Sequence, residues 1–452
     1  MLSICILFTF LSCEDFLEAE DPFGQIPNTV VFEDEATATA ALTTLYAKLR
    51  DEVLLTGGTS GLNIYMGLYA DELDLYGSNW GSLEDLYQHQ IIPSNLTVQS
   101  NWNKAYNLIF MTNSVLEGLE ASSSLKDDLK NHLRGEALFI RAFIHFYLTN
   151  LHGDLPYITS TDYRINKDVS RLPVNEVYEK LITDLSEAKA LLNVNYIGAE
   201  RTRANSLAAS ALMARIYLYR GRWQEAEVES TLVINHTGSY NLEPLIENEF
   251  LVNSSSAILQ FKPKNAGSNT QEASTFIFSS VPPPFVALSN DLVEAFEEND
   301  LRKSLWIGEL SDGNQTWYYP NKYKESFNTG TSLEYTIVLR LAEQYLIRAE
   351  ARAQQNNSPG AQQDLNLLRQ RAGLENTTAT TQNELLEAVV NERRFELFTE
   401  HGHRWFDIKR SNLAGQILSP LKPGWKPNNI LWPVPEADLL INPNLAPQNP
   451  GY

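Results

Sequence analysis

The sequence predicts a mainly α protein: a tetratricopeptide-like solenoid of helical pairs carrying an irregular, loop-rich second lobe. Three observations lead there. A helix–turn–helix pattern recurs twice with small residues at matching positions, five further segments keep an apolar period near 3.6, and two long stretches keep none. Tandem helical pairs bury each other's apolar faces and stack into a curved superhelix.

Taken along the chain, residues 34–52 read as a helix with Ala41, Leu45 and Leu49 on one face, and residues 102–119 as another carrying Tyr106, Ile109, Phe110 and Leu116. Residues 127–151 begin charged and turn continuously apolar, as expected of a helix buried on several sides, and residues 174–192 pair with them. In the first repeat Ala214, Tyr217, Gly221 and Ala226 let two helices close, with Gly221 near the turn. In the second, Ala349 and Ala361 keep the same spacing, Ser358-Pro359 opens the second helix and Gly373 ends it. The last long helix spans 382–399. Trp102, Trp223 and Trp405 fall within helical pattern and are expected in the core.

Residues 54–100 and 252–333 lack the period and are rich in Gly, Asn, Ser, Thr and Pro, yet they hold Tyr65, Tyr69, Tyr76, Trp80, Tyr87, Trp306, Trp317, Tyr318 and Tyr319. Long loops in a compact protein are functional or disordered, and rings in this number argue for order. The two stretches are expected to pack together beside the helices. The expected organisation is a leader at 1–12, an N-terminal region at 13–251 and a C-terminal region at 252–452. The last divides into a loop-rich lobe (252–333), helices (334–410) and a tail (411–452), all in one compact unit.

The first twelve residues, MLSICILFTFLS, are uncharged, and Ser12 precedes Cys13-Glu14-Asp15. An apolar run ending in a small residue before cysteine has the form of a secretory signal whose product is lipidated on Cys13, and it is too short to span a bilayer, which takes roughly 20 apolar residues. Removal before Cys13 takes Cys5 with it, leaving no thiol pair for a disulfide or zinc cluster. The net charge of −21 repels phosphate backbones, so nucleic acid is not an expected partner.

Three constellations are candidates for chemistry. His401-Gly402-His403 has the form of a metal pair, but no third ligand stands near it, and the flanking 391–410 segment alternates charge with bulk as ion-paired helix packing does. Asp71-Glu72-Leu73-Asp74 is the best carboxylate cluster for glycoside hydrolysis, or a calcium or solvated loop instead. Trp80, Trp306 and Trp317-Tyr318-Tyr319 are candidate stacking platforms: sugar rings lay apolar C–H faces on aromatic rings while Asn, Asp and Arg meet the hydroxyls. No nucleophile elbow, phosphate loop or dinucleotide fingerprint occurs, so neither a cofactor nor a resident metal is expected.

Six blocks in order resemble the SusD/RagB family of outer-membrane lipoproteins: SCEDFLE, 102–119, RGEALFIRAFIHFYLTNLHGDLPYIT at 134–159, the repeats at 203–236, NERRFELFTEHGHRWFDIKR at 391–410, and 431–452. The resemblance runs essentially end to end. It implies a non-catalytic protein, lipid-anchored at Cys13 on the outer membrane and facing outwards, that captures oligosaccharide for a SusC-like TonB-dependent transporter. RagB-like members point instead to oligopeptide, so ligand class stays open, and a surface hydrolase using Asp71 or Asp74 and a plain adaptor remain beside it. In the family the ligand residues lie in loops between helices. That places Tyr76, Asn79, Trp80, Trp306, Trp317 and Tyr318 in suitable regions, although no motif fixes them individually.

Overall fold

A computed structural model describes residues 28–452; the leader at 1–12 and Cys13 lie outside the described residues. The helices that build the body are α1 (Glu35–Asp51), α2 (Leu62–Tyr69), α3 (Leu96–Ala121), α4 (Asp127–His152), α5 (Val174–Leu191), α6 (Ser206–Tyr219), α7 (Trp223–Ile234), α8 (Leu341–Gln354), α9 (Ser358–Arg371), α10 (Gln382–Glu396) and α11 (His403–Arg410). From α3 to α9 each packs on the next, which is the stacking of a helical-pair solenoid. Asp34 and Asn95 cap α1 and α3 by accepting N–H groups of the first turn, and Thr381 with Glu384 forms a capping box on α10. Gly221, at φ +66°, turns the chain between α6 and α7, and Gly373, at φ +79°, follows the end of α9.

Some helix limits differ from the periodicity. The third helix starts at Leu96 rather than Trp102, because its first turn carries an exposed Leu96 that obscures the amphipathic stripe. α10 stops at Glu396, not Thr399, where the chain enters a bend with Thr399 and His401 both at positive φ. Within 54–100, α2 has all eight residues buried, and a helix apolar on every side has no stripe to detect.

The two aperiodic stretches meet in a sheet. Strands β1 (Leu73–Leu75), β3 (Val286–Leu288), β5 (Thr316–Pro320) and β4 (Ile307–Ser311) lie in that order, all antiparallel, so residues on either side of the solenoid's sequence share one layer. β2 (Ala257–Phe261) pairs separately with β6 (Thr336–Arg340), which runs directly into α8. One face of the larger sheet, through Val286 and Leu288, joins the main core. The opposite face, through Ala287 and Trp317, packs with Phe278 and half-buried Tyr76 and Tyr319 in a small cluster of its own.

Ion pairs take over where the helices and loops converge. Arg340, 2% exposed, bonds Glu396 at 2.6 Å and Glu400 at 2.8 Å, and Arg302 bonds Glu392 at 2.6 Å. Arg371 reaches Glu249 and Glu396 from α9, so Glu396 is shared by Arg302, Arg340 and Arg371. Not every buried carboxyl is paired. Burial pushes Glu72 from its usual 4.5 up to about 8, opposed only in part by the Thr399 N–H that it accepts at 3.1 Å. A raised pKa in the folded state contributes full stability below about 4.5, and that contribution is lost as pH rises towards 8. Glu72→Gln is therefore expected to raise the melting temperature clearly at pH 8 and little at pH 5. An equal change at both would contradict a buried neutral carboxyl.

Candidate functional site

The aromatic candidates separate into two groups by burial. Trp306 is 1% exposed: its indole N–H donates to the Ile246 carbonyl at 3.2 Å, Phe250 meets its ring edge-on at 5.3 Å and the Lys322 ammonium lies 5.0 Å from its centroid. No face is left for a ligand, so Trp306 is a core residue rather than a platform. Trp317 is 7% exposed, since strand alternation turns it under Phe278 on the far face of the sheet, and it too is a packing residue here. Spacing within a loop gives no burial signal, which is why both looked available in the sequence.

Trp80, Asn79, Tyr76 and Tyr318 stand differently. Residues 77–81 form a turn in which Gly77, Asn79 and Gly81 all have positive φ. At φ +79° Gly77 is in the region that favours glycine, and a Cβ there would sit tightly, 3.2 Å from the Pro284 carbonyl and 3.3 Å from the Trp80 ring nitrogen. The Trp80 N–H donates to the Tyr76 carbonyl, and the ring rests on Phe285 at 4.7 Å, half-buried. Asn79 and Ser78 beside it are exposed. The turn is bound to the other stretch through the Tyr76 N–H, which donates to Phe285 O at 2.7 Å. Tyr76 is half-buried, its hydroxyl pKa raised by burial and then by Asp74, with the Trp317 indole acting in the opposite sense. Tyr318, also half-buried, faces the main core rather than the Trp317 side. Tyr319 covers Gly308 on the neighbouring strand, where a Cβ would meet its ring at 2.3 Å. A partly open indole backed by a second ring, beside an exposed amide, can stack an apolar ring face and bond hydroxyls at its rim.

The carboxylates are committed elsewhere. Asp71 takes Arg404 through two bonds of 2.7 Å and Arg394 at 3.1 Å; burial pushes its pKa up, but the two guanidinium groups outweigh that and hold it below the usual range. A carboxylate so held does not serve as the proton donor of a glycosidase. Asp74 accepts the Tyr87 hydroxyl at 2.9 Å. His401 and His403 are buried; His401 Nε2 meets the Ile337 carbonyl at 2.9 Å, and burial lowers both pKa values, for His403 with help from Arg215 and Arg393. Among the described residues no group of three or more His, Cys, Asp or Glu is arranged to hold a metal ion.

A large cleft lies apart from this turn. It measures about 1290 Å³ and opens between the α6–α7 turn, the end of α8, α10 and the segment after α11. Trp223 lines it half-buried, whereas Trp102 and Trp405 are core residues at 3% and 1% exposure. The repeat pattern placed Trp223 inside because it stands on a helix, but as the first residue of α7 it flanks the turn.

Comparison with known proteins gives a consistent picture. A family profile described as starch-binding associating with outer membrane matches residues 15–218, and the SusD family profile matches 289–452. A SusD-like protein of Formosa agariphila is 28% identical, the alignment covering 99% of this chain and 98% of the relative. A SusD superfamily structure from Bacteroides vulgatus superposes with a TM-score of 0.81 at 22% identity, covering 93% of this chain and all of that one. A structure described as a laminarin binding SusD-like protein superposes at 0.78 with 24% identity over 93% of this chain.

Proposed function

The chain belongs to the SusD/RagB family, and on that premise we propose that it captures oligosaccharide at the outer membrane surface without cleaving it and passes it to a SusC-like TonB-dependent transporter. The observation that carries this reading is the Trp80 turn: an indole held half-open on Phe285 by a strained, glycine-flanked backbone, with exposed Asn79 beside it. Backbone strain that packing must over-determine collects at binding sites. Tyr76 adjoins the turn, while Tyr318 lies two strands away at the far end of β1; both are kept as further contact candidates. The structure bearing the laminarin-binding description supports a carbohydrate ligand, as does the starch-binding description of the matching profile. Lipid attachment at Cys13 supplies the anchor in this reading. Among the described residues no helix is long and apolar enough to cross a membrane.

The test is Trp80→Ala in the full chain. Half-buried on a surface turn, Trp80 should cost little stability when removed. Affinity for a bound glycan should fall roughly 10- to 100-fold by calorimetric titration, because truncating an aromatic anchor costs about 2 kcal/mol or more. Unchanged affinity per folded molecule with a lowered melting temperature would remove Trp80 from the site. A neutral-glycan site should also keep its affinity between low and high salt, whereas a charged sugar or peptide would bind more weakly as salt screens it.

A further inference from the structure

The cleft between α6–α7, α8, α10 and the segment after α11 has the composition of a carbohydrate site in its own right. We infer that it binds an uncharged oligosaccharide of several rings, independently of the Trp80 turn. Its volume of about 1290 Å³ exceeds the roughly 300–1,000 Å³ of sites that hold drug-sized ligands. Its floor holds two carboxylates and three arginines committed to one another: Asp71 is clamped by Arg404 and Arg394, and Glu350 by Arg410.

The walls keep unspent groups. Gln354, Asn391 and Gln416 have side-chain amides with no hydrogen-bond partner among the described residues, and Arg220 makes no ion pair, lying 5.2 Å over the Tyr178 ring. Asp291, Glu294 and Glu387 also form no salt bridge among the described residues. Trp223 supplies a half-buried ring, and Gly221 at φ +66° sets it beside the α6–α7 turn, a Cβ there lying 3.4 Å from the indole; Tyr219 is already covered by Phe146 and the Arg410 guanidinium.

This combination selects its ligand. Ring hydroxyls are both donors and acceptors, so they satisfy free amides and carboxylates together, while the C–H face of a sugar ring covers the indole. Counted together, the lining has five carboxylates and four arginines, so a sulfated or uronic chain meets no net positive charge there. A purely apolar helix or lipid would leave all of these groups desolvated and unpaired, at a cost in affinity for each.

The test uses the full chain labelled with fluorotryptophan, whose eight tryptophans report separately by fluorine NMR; Trp223→Phe and Trp80→Phe assign the two lines that matter. The probes are maltoheptaose, laminarihexaose and, as controls, a sulfated oligosaccharide and trialanine. The Trp223 line is expected to shift saturably with a neutral oligosaccharide, with a midpoint at or below about 10 mM, and to keep doing so in Trp80→Ala. Asn391→Ala with Gln416→Ala should weaken that response about tenfold without moving thermal unfolding. A stationary Trp223 line while Trp80 responds overturns the cleft site and leaves the proposed function standing. Movement of Trp223 alone supports the cleft and counts against the Trp80 turn. Loss of the Trp223 response in Trp80→Ala, a response only to trialanine or only to the sulfated sugar, or no response at all overturns the inference.

Discussion

Arg340→Met is expected to lower the unfolding free energy by about 3–5 kcal/mol, the usual cost of removing one partner from a buried charge network. Arg340 leaves the end of β6 with its side chain 2% exposed and bonds Glu396, Glu400, Glu249 and the Glu396 carbonyl. Methionine matches part of the volume but none of the donors, so three buried carboxylates lose a counter-charge at once. The pH dependence should change with it. Burial pushes Glu396 up, but Arg371, Arg340 and Arg302 outweigh burial and hold it far below its usual 4.5. A depressed carboxylate contributes stability that is present above about 4.5 and lost as pH falls towards the folded value. Urea unfolding across pH 3–8 should therefore show the substitution costing most near neutrality and less in acid. A loss below about 1 kcal/mol at pH 7 would mean that the network adds little beyond packing.

Trp306→Ala should cost about 3–5 kcal/mol, as large-to-small changes at a buried tryptophan do, and should leave ligand affinity unchanged when measured on the folded fraction. The ring fills the space between Phe250, Lys322 and the Ile246 carbonyl, with 1% of its surface exposed. Differential calorimetry with parallel titration separates the outcomes. A stable variant that no longer binds glycan would return Trp306 to the binding site and contradict the packing described here.

These two residues mark the limit of what the chain discloses before it is folded. Repeating small residues at Ala214, Ala226, Ala349 and Ala361, the turn at Gly221 and the stop at Gly373 announce the helical pairs because helix closure and chain reversal each demand a particular residue type. The resemblance of the 391–410 and 134–159 blocks fixes the family for the same reason: they are the buried, charge-bearing centre of the scaffold. Ligand contacts obey no such demand. Trp80, Trp306 and Trp317 sit in similar polar stretches, yet long-range packing buries the last two, Trp306 at the end of a short helix against Phe250 and Trp317 on the far face of β5, and leaves the first half-open. α2 is hidden from periodicity because it is apolar on all sides, and Trp223 is misplaced because helical spacing does not say which end of a helix borders a cleft.

The central claim, capture without chemistry, is tested most directly by incubating the full chain with laminarin, starch-derived oligosaccharides, sulfated and uronic glycans and a mixed peptide pool. Thermal unfolding and the chain length of every ligand are read from the same samples. The account predicts that at least one neutral glycan raises the melting temperature and is recovered at its original length. Shortened chains would make the protein an enzyme, and a shift produced only by peptides would replace the glycan with an oligopeptide; either result contradicts the account.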